Sequence, residues 1–546
     1  MHEGSAAIPG SPMNRPVIAI LLDACEPAWL ERWLAAGELP TLALLRDASA
    51  RVDLDGVHPF TGELPTHALL TATLPWRAGY WGAFDYDKAT YSPRYVRAYD
   101  YRGFRNFYDY DPALKVCQFD LPKSGLARMA QGIQVLNWGA HSSLNPSVSN
   151  PPSLFAELEA KYGLHPALEQ DHLEPWQTDA LDALFGKLAA GVRLRTRIHR
   201  DLLARGPWDL FLIGYSEIHS SGHCYMHVDN DEYALLGGRK AGAHMLALAR
   251  EIDASIADLL AAAPADAGVA LFSIHGMVMN GWDIDTMFIL PELLHRLAFP
   301  ERIRAAEGAL PAPTVGNWYW ADSVWAVAFG DTRPRPRFED GINWIPATWY
   351  APDWPSMRAF ALPGLDEGMV RLNVSGRDPH GIVAPADYEA TLAEIATAIL
   401  GLRSARTGKP LARRLFRTRS YPQEDDVDVP PADLIVDWSN EPCDVADSPA
   451  VGRIGPVPLR RTGGHSRNGF AWFRHPQMAR GERPRATPYD IGPTLLDMIG
   501  APIPSHLDGR SLFGDPSPRG GNPMFREYEP MVPAFPSGNR SQAVTA

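Results

Sequence analysis

The sequence predicts an α/β fold, and it does so through three apolar runs that stop at metal-ligand-type residues. Val17 to Leu22 is apolar throughout and ends in Asp23; Asp209 to His219 reads DLFLIGYSEIH; Gly268 to Gly276 reads GVALFSIHG. Runs of this length and composition fit strands buried on both faces, and polar side chains just beyond such strands are where α/β proteins gather their chemistry. The Ala/Leu-rich pattern from Tyr233 to Ala263 supplies the helical crossover that two parallel strands need.

The elements follow in order. A helix is expected over Trp29 to Ala36, completing a βα unit with the first strand. After about residue 290 the pattern changes: Trp318, Trp320, Trp325, Trp344, Trp349 and Trp354 crowd a Pro-rich stretch without clean periodicity. Residues 291–430 are therefore read as an inserted cap. Its tryptophans, from about Asn317 to Trp354, suit either an organic or aromatic substrate group or packing of the cap onto the core. A regular pattern returns at DLIVDW (Asp433 to Trp438) and closes in ATPYDIGPTLLDMIGAPIP. Residues 16–290 and 431–514 are thus expected to form one core around the cap, with 515–546, rich in Pro, Gly and Ser, as a surface tail. No internal repeat is present.

Composition narrows the function classes. The 546 residues are 45% hydrophobic and carry 51 Lys+Arg against 64 Asp+Glu, a net charge of -13 without any long basic run. That balance argues against a nucleic-acid polymer as partner and leaves a small-molecule substrate, with bound metal able to reverse the local field for an anionic one. Cys25, Cys117, Cys224 and Cys443 have no CxxC spacing and are expected to be free thiols. The N-terminal residues lack a signal-peptide pattern and no run reaches membrane-span length, so a cytoplasmic protein without membrane partner is expected. Composition is compatible with a homo-oligomer and does not specify one.

The densest chemical signal is SEIHSSGHCYMH. His219, His223 and His227 follow a strand at intervals of four, which on a helical turn puts consecutive imidazoles on one face, close enough to share a metal. His219 and His223 are read as ligands and His227 as a packing or capping residue. His275 follows a strand and precedes Gly276; His465, in RTGGHSRNGF, follows two glycines that allow close backbone approach. Asp23 closes the first buried strand, where a carboxylate must be paired, hydrogen-bonded or metal-bound.

These segments together resemble the alkaline phosphatase superfamily, nearest to its type I phosphodiesterase / nucleotide pyrophosphatase group. The resemblance rests on ILLDACEPAWLERWLAAGELPTLALLRDASA, LPTHALLTATLPWRAGYWG, SEIHSSGH, SIHGM, GGHSRNGF and TPYDIGPTLLDMIGAPIPSHLDGRSL, with RLNVSGRDPHGIV (Arg371 to Val383) before the closing part. It implies a mixed sheet sandwiched between helices, one or two divalent ions at the strand ends, zinc first with iron, cobalt or manganese as alternatives, and a Thr or Ser nucleophile attacking phosphorus. By position, Asp23, His223, His275 and His465 match metal ligands of the family.

The departures from the family shape the expectation. Glu63 stands at the nucleophile position in GELPTHALLTA, His219 stands where the family has an Asp ligand, and Ile274 replaces the Asp of the SDHGM-like motif. Asp23, Glu63 and His275 would then hold one ion and His219, His223 and His465 the other. Three neutral imidazoles with an open fourth position lower the pKa of a zinc-bound water to about 7, so metal-bound hydroxide can replace the missing hydroxyl, with Glu63 as the catalytic carboxylate. Thr61 or Thr66 remains an alternative nucleophile. The resulting expectation is a hydrolase of a small phosphate ester, phosphodiester or related ester; a lyase or iron-dependent oxygen-using enzyme on the same fold, or a non-catalytic binding protein, are the competing functions.

Overall fold

The computed structural model describes residues 15–57, 59–60, 64–96, 105–128, 131–139, 145–168, 178–229, 243–280, 283, 286–302, 309–313, 342, 345–426, 428–457, 461–514, 526–528 and 530. A nine-stranded mixed sheet forms its centre. Val17–Leu22 runs parallel to Leu210–Tyr215 on one side and to Gly268–Ser273 on the other, and Asn468–Arg474 adds antiparallel beyond the latter. All six residues of Val17–Leu22 are buried. Alternation explains why: Val17, Ala19 and Leu21 face one apolar layer while Ile18, Ile20 and Leu22 face the other.

Helices cover both faces. One layer contains Pro27–Ala35, Pro40–Asp47, Ser153–Tyr162, Thr178–Ala204 and His244–Ala262; the opposite layer contains residues of Leu64–Thr71 and Ile491–Ile499. His244–Ala262 buries Met245, Leu248, Ala249, Ile252, Ile256 and Leu259, the three-and-four spacing of a core-facing helix. Residues 233–242 of the helix expected from the sequence lie outside the described residues. Among the described residues no helix is long and apolar enough to cross a membrane.

A second, antiparallel sheet stands beside this core, in the order Ala359–Leu362, Gly368–Leu372, Leu434–Trp438, Ala412–Arg417, Arg526–Glu527. It draws on both sides of the boundary expected at 431. The strand Leu434–Trp438 pairs within this sheet, so a core boundary at 431 cuts through it, and the central sheet is rejoined only at Asn468–Arg474. An apolar run such as DLIVDW signals a strand but not the sheet that receives it. Arg526–Glu527, within the expected surface tail, pairs with Phe416 and Arg417.

Trp349 and Trp354 are buried in the second core, and Trp354 stacks on Phe360 at 4.8 Å between ring centroids. For these two, aromatic packing is the role; Asn317, Trp318, Trp320, Trp325 and Trp344 lie outside the described residues. The RLNVSGRDPHGIV segment feeds a buried charge cluster. Arg371 binds Asp378 at 2.6 Å, Arg377 binds Asp433 at 2.7 Å, and Arg419 binds Asp425 at 3.0 Å. Burial alone would raise the Asp433 carboxyl, but the Arg419 and Arg377 charges outweigh it and hold it at about 2.

Candidate metal centre

Strand register brings the sequence candidates to one edge of the central sheet. Leu22 lies beside Tyr215 and Leu21 beside Phe272, so Asp23, the helix Glu217–Asp229 and the Ile274–His275 turn all leave the sheet at the same end. The helix places His219 and His223 on one face with ring centroids 4.5 Å apart. After His275 the chain forms Gly276–Met279, which pairs with Gly463–Ser466 and sets Met277 opposite His465.

Glycine makes this approach possible. A Cβ on Gly463 would lie 2.0 Å from the Gly222 carbonyl oxygen, so any side chain there would push the His465 strand off the histidine helix. Helix and strand therefore meet backbone to backbone. The result is a cluster in which His219 Nε2 and His465 Nε2 are 3.0 Å apart, and one ligand nitrogen from each of His219, His223 and His465 lies within 4.8 Å of the others.

Outer contacts orient two of the rings. His223 Nδ1 donates to the Gly463 carbonyl at 2.7 Å, which leaves its Nε2 lone pair facing the cluster. His465 Nδ1 lies 3.2 Å from Asp366 Oδ2, so its Nε2 is likewise turned inward. A carboxylate or carbonyl behind an imidazole is the usual support of a metal-binding histidine. Asp366 is buried; burial would raise its carboxyl, and the neighbouring His465 and Arg461 hold it below its ordinary value.

Arg461 closes one side of the cluster. Its Nε donates to Asp283 Oδ2 at 2.6 Å, its NH2 also meets Asp283 and lies 3.8 Å from Asp366 Oδ1, and its NH1 donates to His223 Nε2 at 3.2 Å. Burial raises the Asp283 carboxyl to about 6, against the pull of Arg461. Underneath, Glu217 anchors the first turn of the histidine helix in a buried network, with Arg195 2.8 Å and His165 3.1 Å from its Oε1, while Arg195 also reaches Asp120 at 2.8 Å.

The other expected group is only partly in view. Asp23 Oδ1 lies 3.6 Å from His275 Nε2, both residues are buried, and the His275 ring is 4.9 Å from that of His465. Ile274 packs in the apolar layer with Leu21 and Phe272 and offers no ligand. Glu63 and Thr61 lie outside the described residues. Thr66 is buried in the helix Leu64–Thr71. His227 stays out of the cluster: its Nδ1 meets Thr462 Oγ1 at 3.0 Å, and burial lowers its pKa to about 4.

Four residues of this region were not found from the sequence. Asp366 comes from the second sheet's hairpin, 99 residues from His465, and nothing in its local sequence marks it. Asp283 and Arg461 sit a few residues from His275 and His465, and that proximity was the available signal. Glu26 accepts hydrogen bonds from Ser466 Oγ at 2.6 Å and Asn468 Nδ2 at 3.1 Å, tying the turn after His465 to the first strand's end; burial raises its pKa. A cleft of about 260 Å³ opens beside His465, lined among others by Asp366, Arg413, Trp438, Ser466 and Arg467.

No protein-family model and no curated protein matches the chain. Solved structures do. Wild-type alkaline phosphatase PafA is similar at a TM-score of 0.52 and 13% identity, covering 92% of this chain and 99% of that one. The chain has an alkaline-phosphatase-like fold. Phosphonoacetate hydrolase from Sinorhizobium meliloti 1021, in complex with phosphonoformate, is also similar, at a TM-score of 0.45 and 14% identity, covering 92% of this chain and 100% of that one. Within the alkaline phosphatase fold the histidine cluster sits at the C-terminal edge of the parallel strands, where open α/β sheets carry their sites.

The donor set can be tested against a metal on its own chemistry. Three imidazole nitrogens with a carbonyl and a carboxylate behind two of them fit zinc, and also iron or cobalt. His219, His223 and His465 would hold the ion. Asp23 and His275, which face each other beside the cluster, would supply further donors.

Proposed function

We propose that the chain is a metal-dependent hydrolase of a small phosphate ester, phosphodiester or related ester. The observation that carries this reading is the convergence of His219, His223 and His465 at the strand-end edge of an alkaline phosphatase fold. A divalent ion held there supplies Lewis acidity and a lowered water pKa. The chain's own residues do the rest. Gly463 and Asp366 fix the His223 and His465 rings, Glu217 and Arg195 hold the helix that presents His219 and His223, and the cleft beside His465 receives the organic part of the substrate.

With Glu63 at the nucleophile position of the family, no hydroxyl stands there to attack phosphorus, and water is the attacking group. By its position in the sequence motif, Glu63 would act with Asp23 and His275 in holding a second ion. Turnover of aryl phosphate mono- and diesters, abolished by a chelator and restored by zinc, is the expected behaviour; a chain inert to every such ester under metal loading would overturn the reading. Rapid quenching with a labelled substrate followed by peptide mapping tests the route, with no phosphorylated peptide expected and label on Thr61 or Thr66 contradicting it.

The all-imidazole set, with His219 in place of a carboxylate, also suits iron. One iron per chain in protein purified without added metal would favour the lyase or oxygen-using alternative.

A further inference from the structure

Arg461 is placed in a way that hydrolysis alone does not explain. Its guanidinium is mostly buried and splits into two edges. Nε and NH2 face the carboxylates of Asp283 and Asp366, whereas NH1 faces the histidine cluster and donates to His223 Nε2 at 3.2 Å. That nitrogen is the one whose lone pair is left for a metal, because His223 Nδ1 already donates to the Gly463 carbonyl at 2.7 Å. Arginine and metal therefore compete for one lone pair.

Occupancy by an ion has a defined consequence. The His223 lone pair is taken, NH1 loses its acceptor, and a fixed positive charge is left facing a dication in a buried setting. As placed, Asp283 and Asp366 meet Nε and NH2 and not NH1, and Asp366 Oδ2 also supports His465. An acceptor that carries negative charge and can touch the metal and NH1 together removes both penalties, and hydrogen bonds between charged groups are the strong ones. A phosphate-type oxyanion has that shape.

We propose that Arg461 couples metal and oxyanion binding: it caps His223 when no metal is bound and turns NH1 onto a phosphate-type oxyanion when one is. The inference rests on the metal-site reading above and adds a residue that chooses the charge of the ligand. Coupling between two ligands is reciprocal, so phosphate must raise zinc affinity by the same factor that zinc raises phosphate affinity. Part of that factor comes from phosphate touching the ion itself, and Arg461 supplies the remainder.

The experiment measures zinc affinity of the full chain by chelator competition, with and without inorganic phosphate, in the wild type, Arg461→Met and Arg461→Lys. Phosphate should tighten zinc binding in the wild type. In Arg461→Met the enhancement should fall by about tenfold, the scale of one charge-assisted hydrogen bond, while zinc affinity without phosphate stays the same or rises because the competitor is gone. Arg461→Lys, which keeps the charge but not the fork, should retain part of the enhancement. An equal phosphate enhancement in the wild type and in a folded Arg461→Met or Arg461→Lys overturns the coupling and leaves the metal site standing. A wild type that binds no zinc overturns both.

Discussion

Two buried polar clusters in this molecule look alike in composition and differ in kind. Beside the second sheet Arg371, Arg377 and Arg419 meet Asp378, Asp425 and Asp433 with contacts of 2.6 to 3.0 Å, and Lys88 adds a fourth cation 2.6 Å from Asp425. At the edge of the central sheet three imidazoles converge on one another, and the supporting groups, Asp366 and the Gly463 carbonyl, stand behind two of the rings. In the first cluster cations and anions face one another. In the second, ligand nitrogens of three imidazoles lie within 4.8 Å of one another, an arrangement that could hold a metal ion. Burial of polar groups alone therefore does not mark function; the direction in which the groups point does.

The sharpest way to break this contrast is to damage each cluster and ask what is lost. Asp433→Asn removes one anion from the first cluster and leaves Arg377 and Arg419 short of a partner. It should destabilise the fold by about 3–5 kcal/mol in denaturant unfolding, with metal content unchanged per folded molecule. The effect has a pH signature. The Asp433 carboxyl is held at about 2 against an ordinary 3.8, so its contribution is present above about pH 4 and lost as pH falls toward 2. Wild type and variant should converge in stability across that window, and a gap that persists at pH 2 would show that the charge is not what matters.

Asp366→Asn makes the complementary test with a smaller effect. It keeps the shape behind His465 and removes the negative charge, so zinc affinity should drop by roughly 10–100-fold while the unfolding midpoint of the metal-free protein moves little. A large stability loss with unchanged zinc affinity would place Asp366 with the scaffold.

The two clusters were also unequally legible in the sequence. The histidine site was readable because its members lie directly after apolar strands or a glycine pair, and strand ends and close backbone approach are local features; Asp23, His219, His223, His275 and His465 were all named that way. Asp366 was not, since it reaches His465 only through pairing of Ala359–Leu362 with Gly368–Leu372 in a sheet whose partners are far apart in sequence. The same non-locality hid the second sheet. Leu434–Trp438 reads as a strand, yet its neighbours Gly368–Leu372 and Ala412–Arg417 are set by tertiary pairing that no local pattern encodes. Arg461 was overlooked for a different reason, as an arginine before a glycine pair reads as surface charge until its NH1 is seen on His223.

The central claim is that His219, His223 and His465 form the metal site, with Asp23 and His275 beside it. Metal content per chain, measured on protein purified without added metal for the wild type, His223→Ala and Asp23→Ala, tests it most directly. The wild type should carry at least one ion per chain. His223→Ala should lose the ion held by the three imidazoles, and Asp23→Ala should keep it. Metal-free wild-type protein that stays empty when zinc is offered, or full metal content in a folded His223→Ala, would contradict the account.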